Sequence, residues 1–106
     1  MEIKLLQRYF TLLTVHTLLP NAPSNVTVGT VTSTSVALSW DAVLYREGIQ
    51  NYKVYRNGTV VGSPTGTTFT DSTLTASTTY DYQVSAVGND GVEGPKSAIV
   101  QATTTA

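Results

Sequence analysis

Residues 74–87 read LTASTTYDYQVSAV, and this stretch decides the fold more than any other part of the chain. Within it Tyr80, Tyr82, Val84 and Ala86 stand at every second position, with polar residues between them. Successive side chains of a β-strand point to opposite faces, so this alternation places all four on one face. The stretch therefore predicts a strand with one face in a core and the other in water.

Short alternating runs of the same kind lie on both sides of this stretch. Upstream, Val36, Leu38 and Trp40 alternate with small or polar residues in SVALSW. Further runs contain Val26 and Val28, Tyr52 and Val54, and Val100 and Ala102. About seven short strands separated by frequent turn residues are typical of a sandwich of two sheets.

Two of the turns have a recognisable chemistry. Asn57-Gly58 separates NYKVYR from TVVGS, and Asn-Gly favours a two-residue type I′ hairpin, in which both central residues need positive φ. Asn89-Asp90-Gly91 predicts a loop after the strand in residues 80–86.

Taken in order, these motifs resemble the fibronectin type III family of the bacterial and phage kind. Trp40 stands where the family has its core tryptophan, and Leu74 and Tyr80 have the spacing of its tyrosine corner, in which the hydroxyl bonds to upstream backbone. The other matching stretches are APSNVTV (22–28), NYKVYRNG (51–58), TTFTDSTL (67–74) and GPKSAIVQATT (94–104). The resemblance covers residues 22–105. It implies an all-β, seven-stranded immunoglobulin-like sandwich with Trp40, Leu74 and Tyr80 in its structural core.

The family implies a fold and not a reaction, so function must be argued from sites. Its integrin-binding members carry Arg-Gly-Asp before the last strand, whereas residues 88–95 read GNDGVEGP and contain no Arg. A formal net charge of −1 without a basic run gives no footprint for nucleic acid. The absence of cysteine excludes disulfides and zinc held by thiolates. No stretch reaches the roughly 20 apolar residues of a membrane span.

No group of residues forms a recognisable catalytic, cofactor or metal site. His16 is the one imidazole and has no nucleophile or further ligand near it in a known motif. The carboxylates lie singly, and Asp71 and Asp90 have the surroundings of turn formers. We expect no enzyme and no cofactor. Stacking of sugars on Tyr45, Tyr55 or Phe69 is possible but unsupported, since Phe69 fits a core position and the tyrosines fit sheet edges.

The first twenty residues, MEIKLLQRYFTLLTVHTLLP, have no counterpart in the family. Three interpretations stay open. They could be a signal peptide with Lys4 and Arg8 before the apolar run. They could be an amphipathic helix with Ile3, Leu6, Phe10 and Leu13 on one stripe, or an extended arm that adds a strand to a neighbour.

We expect residues 1–21 to be an apolar anchoring arm and linker, and residues 22–106 to be the sandwich domain. Because the seven-stranded core is complete without it, the arm is predicted to dock on a protein partner through Ile3, Leu6, Phe10 and Leu13. The first functional prediction is a structural or binding module anchored to a larger assembly, as a virion decoration or surface adhesion protein. The alternative is an accessory spacer or weak carbohydrate-binding module of a secreted carbohydrate-active enzyme.

Overall fold

The computed structural model describes residues 18–106, and the regular structure of this part consists of seven β-strands. They are β1 (Thr27–Val31), β2 (Val36–Ser39), β3 (Ile49–Arg56), β4 (Thr59–Gly62), β5 (Thr68–Asp71), β6 (Thr79–Gly88) and β7 (Val100–Thr103). The predicted all-β, seven-stranded fold is confirmed. Within these residues, no helix has the length and apolar character needed to cross a membrane.

The strands form two antiparallel sheets that face each other. One sheet has the order β1-β2-β5, and the other has the order β4-β3-β6-β7. The core between them is made of alternate side chains from both sheets. Its fully or almost fully buried members are Val36, Leu38, Trp40, Tyr52, Val54, Leu74, Tyr82, Val84, Ala86 and Ala102.

Strand β6 is the longest and pairs with β3 on one side and β7 on the other. Tyr82, Val84 and Ala86 are 0% exposed, as the period-two pattern of this strand predicts. On the other side of the core lie Val36 and Leu38 of β2, whose exposed fractions are 0% and 2%. The alternation of apolar residues thus sets which face of each strand enters the core.

The Asn57–Gly58 hairpin has the predicted geometry. Asn57 has φ 50° and Gly58 has φ 87°, so both central residues lie in the left-handed region that a type I′ turn requires. The turn is also held from the side, because the backbone N–H of Asp81 donates to the Asn57 side-chain carbonyl at 2.9 Å.

The chain enters and leaves the sandwich at opposite ends. At the first end, here called the Tyr45 end (residues 18–24, 41–48 and 88–95), the Tyr45 hydroxyl shares its one hydrogen between the carbonyl of Leu18 at 3.2 Å and the carboxylate of Asp90 at 2.7 Å. At the second, here called the Thr104 end (residues 32–35, 72–79 and 103–106), the N–H of Thr104 donates to the carbonyl of Thr78 at 3.0 Å. Strand β6 runs from the Thr104 end to the Tyr45 end.

Residues around the predicted boundary between arm and domain pack on the sandwich. Pro20 and Pro23 are buried. The carbonyl of Pro20 lies so close to Gly94 that a β-carbon there would come within 1.9 Å of it. Contact with the sandwich therefore begins before residue 22, while the division of the chain into arm and domain at residue 21 stays a prediction.

Candidate functional site

Trp40 lies between the two sheets and is 5% exposed. Its ring meets the ring of Tyr52 edge-on, with centroids 5.6 Å apart and planes at 62°. The Tyr52 hydroxyl also forms a hydrogen bond, in which it accepts the backbone N–H of Val43 at 3.0 Å. The indole Nε1 of Trp40 is buried without a hydrogen-bond partner in the described part of the chain. This tryptophan is a packing residue with one polar group left uncompensated.

Leu74 and Tyr80 form the turn between the sheets at the Thr104 end. Leu74 is buried, and its N–H donates to the carbonyl of Thr34 at 2.9 Å. Tyr80 is half-buried, and its hydroxyl accepts the N–H of Thr75 at 3.0 Å. Thr73 has φ 61°, a left-handed conformation that is costly for a β-branched residue. The hydroxyl of Tyr80 therefore ties down a strained corner.

Asp71 is a buried charged residue that links the two sheets, so its interpretation as a turn former is wrong. It is 5% exposed at the end of β5. Both of its carboxylate oxygens accept from Nη1 of Arg56 in β3, at 3.0 and 2.9 Å. The hydroxyl of Tyr82 in β6 donates to the same carboxylate at 2.7 Å. The hydrogen bond to Asp71 raises the pKa of Arg56, and burial followed by the bond to Asp71 raises the pKa of Tyr82.

Glu93 organises the outer face of the larger sheet. Its carboxylate accepts the hydroxyls of Ser85 at 2.6 Å and Tyr55 at 2.5 Å, and Lys53 lies 3.4 Å away. The bond from Ser85, then the bond from Tyr55, lowers the pKa of Glu93. The ammonium of Lys96 stands 4.2 Å from the centre of the Tyr55 ring. These contacts attach the loop before β7 to β3 and β6.

The aromatic residues proposed as sugar platforms are covered. Tyr55 is 9% exposed and lies under Lys96. Phe69 packs against the core, with its ring edge close to Gly62. Tyr45 is half-buried, and its hydroxyl donates to Asp90 at 2.7 Å, which raises its pKa to about 12. All seven aromatic residues in 18–106 are buried or half-buried, so none of them has a largely exposed side chain.

The other candidate residues do not form a common site. Among residues 18–106 no group of three His, Asp or Glu residues could hold a metal ion. Asp41 accepts from Asn25, Asp81 accepts from Gln101, and Asp90 accepts both Tyr45 and the N–H of Val92, a turn role that was predicted for it. His16 and the arm residues Ile3, Leu6, Phe10 and Leu13 lie outside the described residues.

The network around Asp71 and the cluster around Glu93 were not predicted. Their members come from strands far apart in sequence, and Arg56 and Asp71 are 15 positions apart. A signal was present, since charged residues are only 12% of the chain and three members of these networks, Lys53, Arg56 and Asp71, fall inside strands. That signal does not reveal the partners.

Comparison with known proteins shows which family the sandwich resembles. The model of the fibronectin type III domain matches residues 21–103. Chitinase 63 of Streptomyces plicatus is 45% identical over 86 residues, which are 81% of this chain and 14% of the chitinase. A poly(3-hydroxybutyrate) depolymerase of Ralstonia pickettii is 51% identical over 84 residues, which are 79% of this chain and 17% of that protein.

The chain therefore spans about one-sixth or less of the length of these relatives. Among solved structures, a crystal structure of domains from titin superposes with a TM-score of 0.76, at 26% identity, and the match covers 83% of this chain and 33% of that one.

Proposed function

Because this chain belongs to the fibronectin type III family, we propose that it is a non-catalytic spacer module of an exported polymer-degrading enzyme. The relatives support this assignment, since a chitinase and a depolymerase each contain a segment similar to it. The virion setting predicted from the sequence gains no support from them. The alternative, an accessory module of a secreted enzyme, is the better supported prediction.

One observation favours a spacer above all, namely that the chain enters at the Tyr45 end and leaves at the Thr104 end. The ten residues of β6 lie between these ends. At about 3.3 Å per residue they hold the ends roughly 30 Å apart. A flexible Gly/Ser chain as long as residues 18–106 has a mean span on the order of 50 Å and a very broad distribution of spans. A folded module would thus supply a fixed distance between neighbouring domains.

Weak carbohydrate binding is the less favoured role. Stacking needs an exposed aromatic face, and each described aromatic residue is buried or half-buried, with Lys96 over the ring of Tyr55. We expect residues 18–106 to remain in the supernatant when mixed with insoluble chitin, cellulose or poly(3-hydroxybutyrate). Sedimentation with any of these polymers would favour the binding role.

The spacer role can be tested in a relative. The segment of chitinase 63 that aligns with this chain is replaced by residues 18–106, or by a Gly/Ser stretch of equal residue number. We expect the first hybrid to retain hydrolysis of insoluble chitin and the second to lose part of it, with soluble oligosaccharides hydrolysed equally by both. Equal loss or equal retention on both substrates would argue against a rigid spacer.

Location and partner are further parts of the proposal. Chitin is an insoluble polymer, so an enzyme that acts on it works outside the cell, and we place this chain there. Docking of residues 1–20 on a protein partner also stays a proposal, supported by the apolar side chains Ile3, Leu6, Phe10 and Leu13. Mass spectrometry of the exported chain would show whether these residues are retained or removed as a signal peptide.

A further inference from the structure

The Tyr45 end carries an exposed apolar surface. Leu44 is 91% exposed, more than any other large apolar residue in the described part of the chain, and Leu19 is 49% exposed. Beside Leu44 lies a groove of about 340 Å³. It is lined by Asn21, Ala22, Ser24, Ala42, Val43 and Leu44, and is here called the Leu44 groove. A single exposed leucine needs no explanation, so the position of the groove must supply the argument.

The preceding part of the chain starts beside this groove. Leu18 is held at the Tyr45 end by the hydroxyl of Tyr45, and Pro20 is buried against Gly94. Seventeen residues precede Leu18. Leu13 is five positions away, so it must lie within roughly 17 Å of Leu18. The most apolar stretch of the sequence is thus tethered next to an apolar groove.

The charges on the two sides are complementary. The residues of the Tyr45 end include one cation, Arg46, and four carboxylates, namely Asp41, Glu47, Asp90 and Glu93. In the preceding segment, two cations, Lys4 and Arg8, oppose one carboxylate, Glu2. The attraction between these exposed groups is weak, but its sign favours approach of the segment to this end.

We propose that, in the free chain of residues 1–106, residues 1–17 dock on the Leu44 groove of their own domain. The tether gives the segment an effective concentration in the millimolar range at the groove, which a second copy or a separate partner reaches only when it is abundant. Docking covers Leu44 together with apolar side chains such as Phe10 and Leu13. A protein partner of the arm would have to displace this contact. The inference goes beyond the spacer role and does not depend on it.

Hydrogen exchange followed by mass spectrometry tests the contact. We expect amides of residues 5–15 in the chain of residues 1–106 to exchange about tenfold more slowly than in a free peptide of residues 1–17, equivalent to about 1.4 kcal/mol of docking free energy. Leu44→Ser should abolish this protection without unfolding the domain, since the side chain is 91% exposed. Val60→Ser is the matched control, because Val60 is 42% exposed in β4, beside the Asn57–Gly58 hairpin. It should leave the protection unchanged.

Three results would overturn the proposal. Exchange as fast as in the free peptide would show that the segment does not dock. Protection that survives Leu44→Ser would place the contact elsewhere on the chain. Protection that disappears on dilution, together with a concentration-dependent mass in sedimentation, would show docking on a second copy. A second variant, Leu13→Glu, changes the segment instead of the groove and should lose the protection in the same way.

Discussion

Arg56 and Asp71 form an ion pair that joins the two sheets of the sandwich. Asp71 ends β5 of the three-stranded sheet, whereas Arg56 ends β3 of the four-stranded sheet. The side chain of Asp71 is 7% exposed and that of Arg56 is 32% exposed, so one partner is buried and the other reaches water. The pair thus fixes the separation and alignment of the sheets on one side of the core.

We expect Asp71→Asn to cost about 2–3 kcal/mol of unfolding free energy, because it leaves the guanidinium without its counter-charge. This loss of unfolding free energy is smaller than is usual when one partner of a buried ion pair is removed, because Arg56 can still be hydrated. Asp81→Asn is the control, because its bond with Gln101 is exposed, and it should change stability by less than about 0.5 kcal/mol. Urea denaturation measures both. Equal effects of the two variants would show that the link between the sheets is not important for stability.

Trp40 can be tested with two substitutions of different size. Trp40→Ala should cost about 3–5 kcal/mol, because it opens a large cavity between the sheets. Trp40→Phe should cost much less, on the order of 1 kcal/mol, because removal of the unpartnered Nε1 offsets part of the lost packing. Thermal and urea unfolding followed by circular dichroism would report both values. If Phe were as damaging as Ala, the indole nitrogen would have to contribute to stability.

Tyr80→Phe removes one hydrogen bond and little volume. The N–H of Thr75 loses its acceptor, so we expect a loss of about 0.5–1.5 kcal/mol with the fold retained. The measurement is the shift of the urea midpoint at unchanged slope. An unchanged midpoint would mean that water replaces the hydroxyl without cost.

Glu93 should make stability depend on acid pH. Its pKa is lowered in the folded state, so its contribution is complete above the unfolded value of about 4.3 and is lost as the pH falls through the folded value. Glu93→Gln removes this contribution at neutral pH. The variant should therefore lose less stability than the parent between neutral pH and the acid side of that range. Parallel stability curves in urea at each pH would contradict the assignment.

Two truncations separate the arm from the domain. Residues 18–106 should fold cooperatively because they keep Pro20 and Pro23 in place, with a stability below that of residues 1–106 only by the docking free energy of about 1.4 kcal/mol proposed for residues 1–17. Residues 24–106 lack both buried prolines and the bond between Leu18 and Tyr45, and should be less stable by about 1–3 kcal/mol. Calorimetry of the two fragments gives the comparison. If they melt alike, residues 18–23 are not part of the folded unit.

The fold could be predicted because its signal is local. The alternation of Tyr80, Tyr82, Val84 and Ala86 and the Asn57–Gly58 turn each follow from a few neighbouring residues. Asp71 could not be predicted in the same way, because a carboxylate beside Ser and Thr resembles a turn former until strand pairing brings Arg56 to it.

Thr73 shows the same limit. Its positive φ is unfavourable for a β-branched residue, so the local sequence does not predict this conformation. The covered state of Tyr55 depends on Glu93 and Lys96, which lie about forty positions away in sequence. The sandwich fold does not distinguish a virion protein from a module of an enzyme, since the same fold serves both.

The opposite placement of the two chain ends determines how the domain would respond to a pulling force. β1 runs away from the Tyr45 end and β7 runs towards the Thr104 end. Tension on the two termini would therefore act along the axes of both strands, and their hydrogen bonds to β2 and β6 would be sheared together instead of opening one after another. Under such a load the module would extend little until a whole strand gives way.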